Sequence, residues 1–213
     1  MNGLALSRSF YETIGKPALE QQFPALMSRM AIGLAGEGSE CLGFDDELSR
    51  DHDWGPAFCI WLEKEDYMRT ALFLAETAAK KDEVPVGAVI VNPQTGEIVA
   101  QAYNQSAHEG DATSHAEILA IQKACRQLNQ PRLWNMDMYV TLEPCTMCAA
   151  AISFARIEHL YFGAADEKGG AVASGVKFYE SPTCHHRPKV QGGVLDDECA
   201  KLLQDFFKSK RKK

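Results

Sequence analysis

The sequence predicts a three-layer α/β/α domain built on a mixed, mostly parallel sheet, with a shorter α/β segment in front of it. Three observations carry this. A hairpin signal opens the larger region. Helical and β-branched stretches then alternate through it. A charge cluster, Glu63-Lys-Glu-Asp66, separates it from what precedes. The boundaries that follow are 1–64 for the N-terminal segment, 65–207 for the main domain and 208–213 for a basic tail.

Along the N-terminal segment, residues 8–32 read as short helical pieces broken by Pro17 and Pro24. Met30–Leu34 has the apolar run of a buried strand, the polar turn Gly36–Glu40 follows, and Pro56–Leu62 is a second candidate strand. In the main domain, Met68, Leu72, Leu74, Ala75 and Ala78–Ala79 give Tyr67–Lys80 the spacing of an amphipathic helix. Val86–Val91 is a strand rich in β-branched residues, paired with Glu97–Tyr103 across Asn92-Pro-Gln-Thr-Gly96. Helix 115–127, strand Met138–Leu142, helix 145–155, strand His159–Phe162 and a last helix near Asp196–Lys208 complete the alternation.

Composition narrows the function classes. A formal charge of −7 argues against a generic nucleic-acid coat. Residues 1–64 hold five Lys/Arg against ten Asp/Glu, whereas the last six residues carry five positive charges, a phosphate-seeking or simply solvated tail. No stretch approaches the roughly 18 apolar residues of a membrane helix, and the N-terminus makes a poor signal peptide, so a cytosolic enzyme without a membrane partner is expected. Seven cysteines, an odd number, suit reduced thiols better than a disulfide framework.

Only two of those cysteines have metal-ligand spacing. Cys145 and Cys148, i and i+3, share a helix face at a predicted N-terminus, where thiol pKa falls toward the thiolate that zinc binds. Pro144 suits the first helical turn. A second helix start carries Ser114-His115-Ala116-Glu117. Each half alone has an ordinary explanation: a redox pair for C-x-x-C, a capping box for Ser114-x-x-Glu117. Together, H-x-E followed by P-C-x-x-C is the signature of zinc deaminases. His115, Cys145 and Cys148 would bind one Zn²⁺ per subunit, leaving a fourth position for water, with Glu117 as the catalytic proton shuttle. A structural zinc module would instead need a fourth protein ligand, and an RNA-binding relative without catalysis would keep the fold but not the turnover. Cys125 and Cys199 read as packing residues, and Cys184-His185-His186 is a weaker candidate for a second metal site.

The longer segments Glu83-Val-Pro-Val-Gly-Ala-Val-Ile-Val91, Thr113–Ala120, Tyr139–Cys148 and Glu198–Phe207 resemble the cytidine deaminase-like superfamily. Within it they are most similar to the bacterial tRNA-specific adenosine deaminases. The resemblance covers roughly residues 65–210. It implies conversion of the wobble adenosine of a tRNA anticodon arm to inosine, a homodimer, and a base flipped out of its stack. It also implies substrate-binding roles for Asn104 and for the backbone around Ala116. The runs Ala165–Gly170 and Pro182–His186 depart from that family's pattern. They keep a free nucleobase or nucleoside (guanine, cytosine or cytidine type) open as the alternative substrate.

Gly38-Ser39, followed by Asp51-His52-Asp53, resembles the start of a nucleotidyltransferase-like domain, in which a Gly-Ser turn holds phosphate and paired carboxylates bind Mg²⁺. About sixty residues cannot bury that sheet, so an inactive, truncated fragment is expected.

Overall fold

The structure, a computed structural model, describes residues 8–22, 31–33, 59–61 and 64–211. The chain divides into two compact units, Met1–Leu62 and Glu63–Lys213. In the first, a wide π-type turn, Tyr11–Gly15, runs directly into helix α1, Lys16–Gln22. Helical backbone thus runs continuously from residue 8 to Gln22, and Pro17 lies inside it, just after the π-type turn, without breaking it. Strands β1 (Ala31–Gly33) and β2 (Cys59–Trp61) pair antiparallel. Gly38, Ser39, Asp51 and Asp53 lie outside the described residues.

The second unit opens with helix α2, Lys64–Lys80, followed by strands β3 (Gly87–Asn92) and β4 (Glu97–Tyr103). Their turn is shaped by Asn92, whose Oδ1 accepts from Gln94 N at 3.0 Å, and by Gly96 at φ +73°. A short helix α3, Ser106–Glu109, precedes α4, Ala116–Gln127. Strand β5 (Asp137–Leu142), helix α5 (Thr146–Ala155), strand β6 (His159–Ala164), strand β7 (Lys189–Gln191) and helix α6 (Asp196–Lys210) complete the unit. Three elements escape sequence reading: α3, the 3₁₀ turn Phe178–Glu180 and β7. All are short, and β7 has every residue exposed, so no apolar periodicity marks it.

The sheet order is β4-β3-β5-β6-β7. It divides evenly instead of being mostly parallel: β4, β3 and β5 pair antiparallel, while β5, β6 and β7 pair parallel. Strands covered on both faces read as continuous apolar runs, as Gly-Ala-Val-Ile-Val does in β3. On one face Ala88, Ile90, Met138, Val140, Leu160 and Phe162 form a core with Ala120 and Ala124 of α4 and Ala149 and Ile152 of α5. The other face takes α2 and α6. There Gly87 and Gly163 admit the helices at close range: a Cβ at Gly87 would stand 2.0 Å from the Ala71 carbonyl oxygen, and one at Gly163 2.4 Å from Cys199 Sγ.

Because β4, β5 and β6 run in one direction, their C-terminal ends share one edge of the sheet. That edge is where α/β folds leave a crevice for ligands. Asn104, Glu143–Cys145 and Ala165–Asp166 are delivered there from three strands separated widely in sequence.

Candidate metal centre and substrate cleft

Two helix starts converge on this edge. His115 is the N-cap of α4 and Cys145 the N-cap of α5, both with extended backbone. Pro144 therefore stands just before the cap, two positions ahead of the first helical residue, Thr146. Neither cap makes a side-chain capping bond, so both side chains are free to point away from their helices. The capping box is not formed. Buried Ser114 instead donates its Oγ–H to Glu109 Oε2 at 2.7 Å, which leaves Glu117 without a capping partner.

His115 Nδ1 lies 3.8 Å from Cys145 Sγ and 3.5 Å from Cys148 Sγ, and all three ligand atoms fall within 4.8 Å of one another. A tetrahedral zinc with nitrogen at about 2.05 Å and sulfur at about 2.3 Å sets a nitrogen–sulfur edge of about 3.6 Å. Both observed nitrogen–sulfur edges have about that length. Among the described residues no fourth His, Cys, Asp or Glu joins it, so the donor set fits a three-ligand zinc with an open position and not a closed structural site. Cys145, hydrogen-bonded to Cys148 and His115, has its thiol pushed down to about 4, while that bond and burial push Cys148 up.

Glu117 sits in the first turn of α4, 4% exposed, and lines the cleft beside His115 and Cys145. Burial raises its carboxyl above the ordinary value, with His115 opposing. The cleft, about 460 Å³, is further lined by Glu83, Val84, Asn104, Leu142, Glu143 and Asp166. Asn104 is 6% exposed and clamped at both ends of its amide: Nδ2 donates to Glu83 Oε2 at 2.9 Å, and Oδ1 accepts from Ser106 Oγ at 3.2 Å. Ala116 lies at the same helix start, but its side chain is wholly buried in the core and does not line the cleft.

Sequence reasoning gave no role to Glu83 and Glu143, each 2% exposed. Glu83 also accepts from the backbone N–H groups of Ala107 and His108 at 3.2 and 2.6 Å. Most of their partners are main-chain groups remote in sequence, which leave no pattern to read. The Cys184-His185-His186 candidate is not a second metal site. His186 Nε2 donates to the Ile157 carbonyl at 2.6 Å, and Cys184 Sγ packs at 3.5 Å from Ser153 Oγ. Cys199 is buried as expected, and Cys125 packs against the core from α4.

Comparison with known proteins agrees with this geometry. The zinc-binding region of cytidine and deoxycytidylate deaminases matches residues 62–164, so the cofactor is zinc. The tRNA-specific adenosine deaminase of Agrobacterium fabrum is 53% identical over 149 residues, 70% of this chain and 97% of that protein. A solved structure from biochemical and structural studies of A-to-I editing by tRNA:A34 deaminases at the wobble position of transfer RNA superposes with a TM-score of 0.64. It is 53% identical and covers 66% of this chain and 100% of that one. A guanine deaminase from Nitrosomonas europaea, TM-score 0.60 over 68% of this chain and 84% of its own, is 21% identical and shares the fold alone. With identity above one half sustained over nearly the whole relative, the chain belongs to the tRNA-specific adenosine deaminase family.

Proposed function

We propose that this chain is a zinc-dependent hydrolase that deaminates adenosine to inosine at the wobble position of a tRNA anticodon arm. The observation that carries the reading is the zinc-sized triangle of His115, Cys145 and Cys148 with the buried Glu117 beside it in one cleft. Bound there, zinc supplies the Lewis acidity that lets water act as a nucleophile at neutral pH. Glu117 accepts a proton from the attacking water and delivers it to the ring nitrogen next to C6; it then takes the remaining proton from the new C6 hydroxyl and hands it to the amine as the C6–N bond breaks. The carbon gains an oxygen bond and ammonia leaves. Burial suits Glu117 to this exchange, since a raised carboxyl pKa lets it give the proton back. Asn104, fixed by Glu83 and Ser106, holds the base, and the N-terminal backbone of α4 around Ala116 contributes to reading it. The adenosine must leave its stack to enter the cleft.

The test is inosine formation in an anticodon stem-loop bearing wobble adenosine, read by mass spectrometry, with Glu117→Ala beside the wild type. Inosine from the wild type and a loss of about 10² to 10⁴ in the variant, with zinc retained, is expected. Rapid deamination of free guanine or cytidine with the stem-loop untouched would overturn the substrate assignment.

Further parts of the reading rest on the resemblance. Two copies are proposed to pair, which the exposed Phe154 of α5 (72%) and Val176 (68%) support; a single-chain mass in sedimentation would refute it. Among the described residues no helix is long and apolar enough to cross a membrane, and a tRNA substrate supports a cytoplasmic location. Residues 1–64 are read as a truncated nucleotidyltransferase-like fragment without transferase activity. Mg²⁺-dependent nucleotide transfer that vanished in Asp51→Ala and Asp53→Ala would reverse that reading.

A further inference from the structure

The segment 165–174 follows β6 and forms one wall of the cleft through Asp166. Its fold owes little to elements of its own. Within it, Asp166 Oδ1 accepts from Lys168 N and Gly169 N at 3.1 and 3.0 Å, a local turn. The rest of the segment is gathered onto one side chain. Glu143 Oε1 accepts from Val172 N, Ala173 N and Ser174 N at 3.1, 2.8 and 2.8 Å. Its Oε2 accepts from Asp166 N at 3.0 Å and Ser174 Oγ at 2.9 Å. Both carboxylate oxygens are thus occupied, by groups at the two ends of the segment.

The fit is close. A Cβ on Gly170 would stand 2.4 Å from Glu143 Cδ and 2.5 Å from the Asp166 carbonyl oxygen. The segment therefore needs glycine where it passes over the carboxylate. It is also tied to the metal helix: Gly170 bridges to Cys145, and Ala171 N donates to the Pro144 carbonyl at 2.9 Å. Glu143 stands two residues before Cys145, but its oxygens are spent on the segment, not on the ligand triangle.

We propose that Glu143 is a positioning residue: its carboxylate clasps residues 166–174 and so fixes the wall of the substrate cleft opposite Asn104, setting how the RNA seats without taking part in the chemistry. The proposal rests on the reading of the cleft as the RNA site. A carboxylate is required because every partner is a donor. In Glu143→Gln one oxygen becomes an NH₂ facing N–H and O–H groups, which keeps the volume but breaks one half of the clasp.

Full-length, zinc-loaded Glu143→Gln and Gly170→Ala are compared with the wild type in three measurements. In amide hydrogen exchange by NMR, Asp166 and Val172–Ser174 are expected to exchange at least about tenfold faster, while the α4 amides keep their protection. Zinc content stays at the wild-type level. The KM for the anticodon stem-loop rises about tenfold with kcat within about threefold, because a wall displaced by a fraction of an ångström misplaces substrate. Unchanged exchange at those four amides, or an unchanged KM, overturns the proposal. So does loss of zinc in step with kcat, which would make Glu143 a support of the metal helix. Gly170→Ala disturbs the same contact from the opposite side and must give the same pattern. If the wild type makes no inosine from the stem-loop, the substrate reading fails, and the exchange rates alone decide the clasp.

Discussion

The metal corner and the cleft walls solve different problems with the same side-chain chemistry. At the metal corner, His115 and Glu117 are two residues apart, and Cys145 and Cys148 three apart. Each pair is placed by a helix start, so a few residues of local geometry aim the whole set. In the walls, the buried carboxylates of Glu83 and Glu143 collect N–H groups 21 to 31 residues away in the chain. Reaction chemistry is thus encoded locally, while the shape that admits a substrate is encoded at long range. Damage to the corner should abolish turnover, and damage to a wall should mainly cost binding.

The largest effect expected is at the corner. Cys148→Ala removes a thiolate and leaves a two-ligand site. Zinc content, measured by elemental analysis, should fall to a small fraction of one per chain, and turnover by at least about a thousandfold, the scale on which losing a principal electrostatic stabiliser acts. Chelation of the wild type should reproduce this and added zinc reverse it. Turnover that persisted without metal would break the comparison.

An intermediate effect is expected at the Asn104 wall. Glu83→Gln puts a donor against the donors of Ala107, His108 or Asn104, and KM should rise about tenfold with kcat little changed, the scale of one charge-assisted hydrogen bond. Because Glu83 acts through Asn104, the double variant with Asn104→Ala should cost less than the two single losses together, with a coupling of about 1 kcal/mol in kcat/KM. Strict additivity would mean that Glu83 supports only the backbone of α3.

The smallest effect belongs to the approach to His115. Asp111 Oδ1 accepts from Thr113 N and Thr113 Oγ1, both at 2.8 Å. The Thr113 backbone bond is the main reason its carboxyl lies below the ordinary 3.8. A depressed folded pKa means the native state binds fewer protons than the unfolded chain. The contribution is therefore present above 3.8 and lost as pH falls through the folded value. The difference in melting temperature between wild type and Asp111→Ala should be small at pH 6 and shrink further toward pH 3. A difference that grew on acidification would contradict the assignment.

Much of this was legible in the sequence for reasons tied to particular residues. The i, i+3 cysteines and the His-x-Glu step are short-range patterns, and each maps to one helix start whatever surrounds it. The apolar run of β3 and the Asn92–Gly96 turn likewise declare a hairpin locally. At Ser114 short-range spacing leaves two readings open. Its spacing to Glu117 suggested a capping box, but Ser114 Oγ bonds Glu109 instead and Glu117 turns to the cleft. The pairing of β7 beside β6 was not legible either, since three exposed residues carry no periodic signal.

The sequence by itself determined the donor set, the helices that present it and the alternation that builds the sheet, because those depend on spacings of a few residues and on burial periodicity. Only the tertiary structure decided that the three ligand atoms stand at tetrahedral distances, that β4, β5 and β6 end on one edge, and that Glu83 and Glu143 are loop clasps and not surface charges. These depend on backbone donors brought together from distant parts of the chain, and a backbone N–H is the same at every residue but proline, so no sequence pattern records which ones a buried carboxylate will meet.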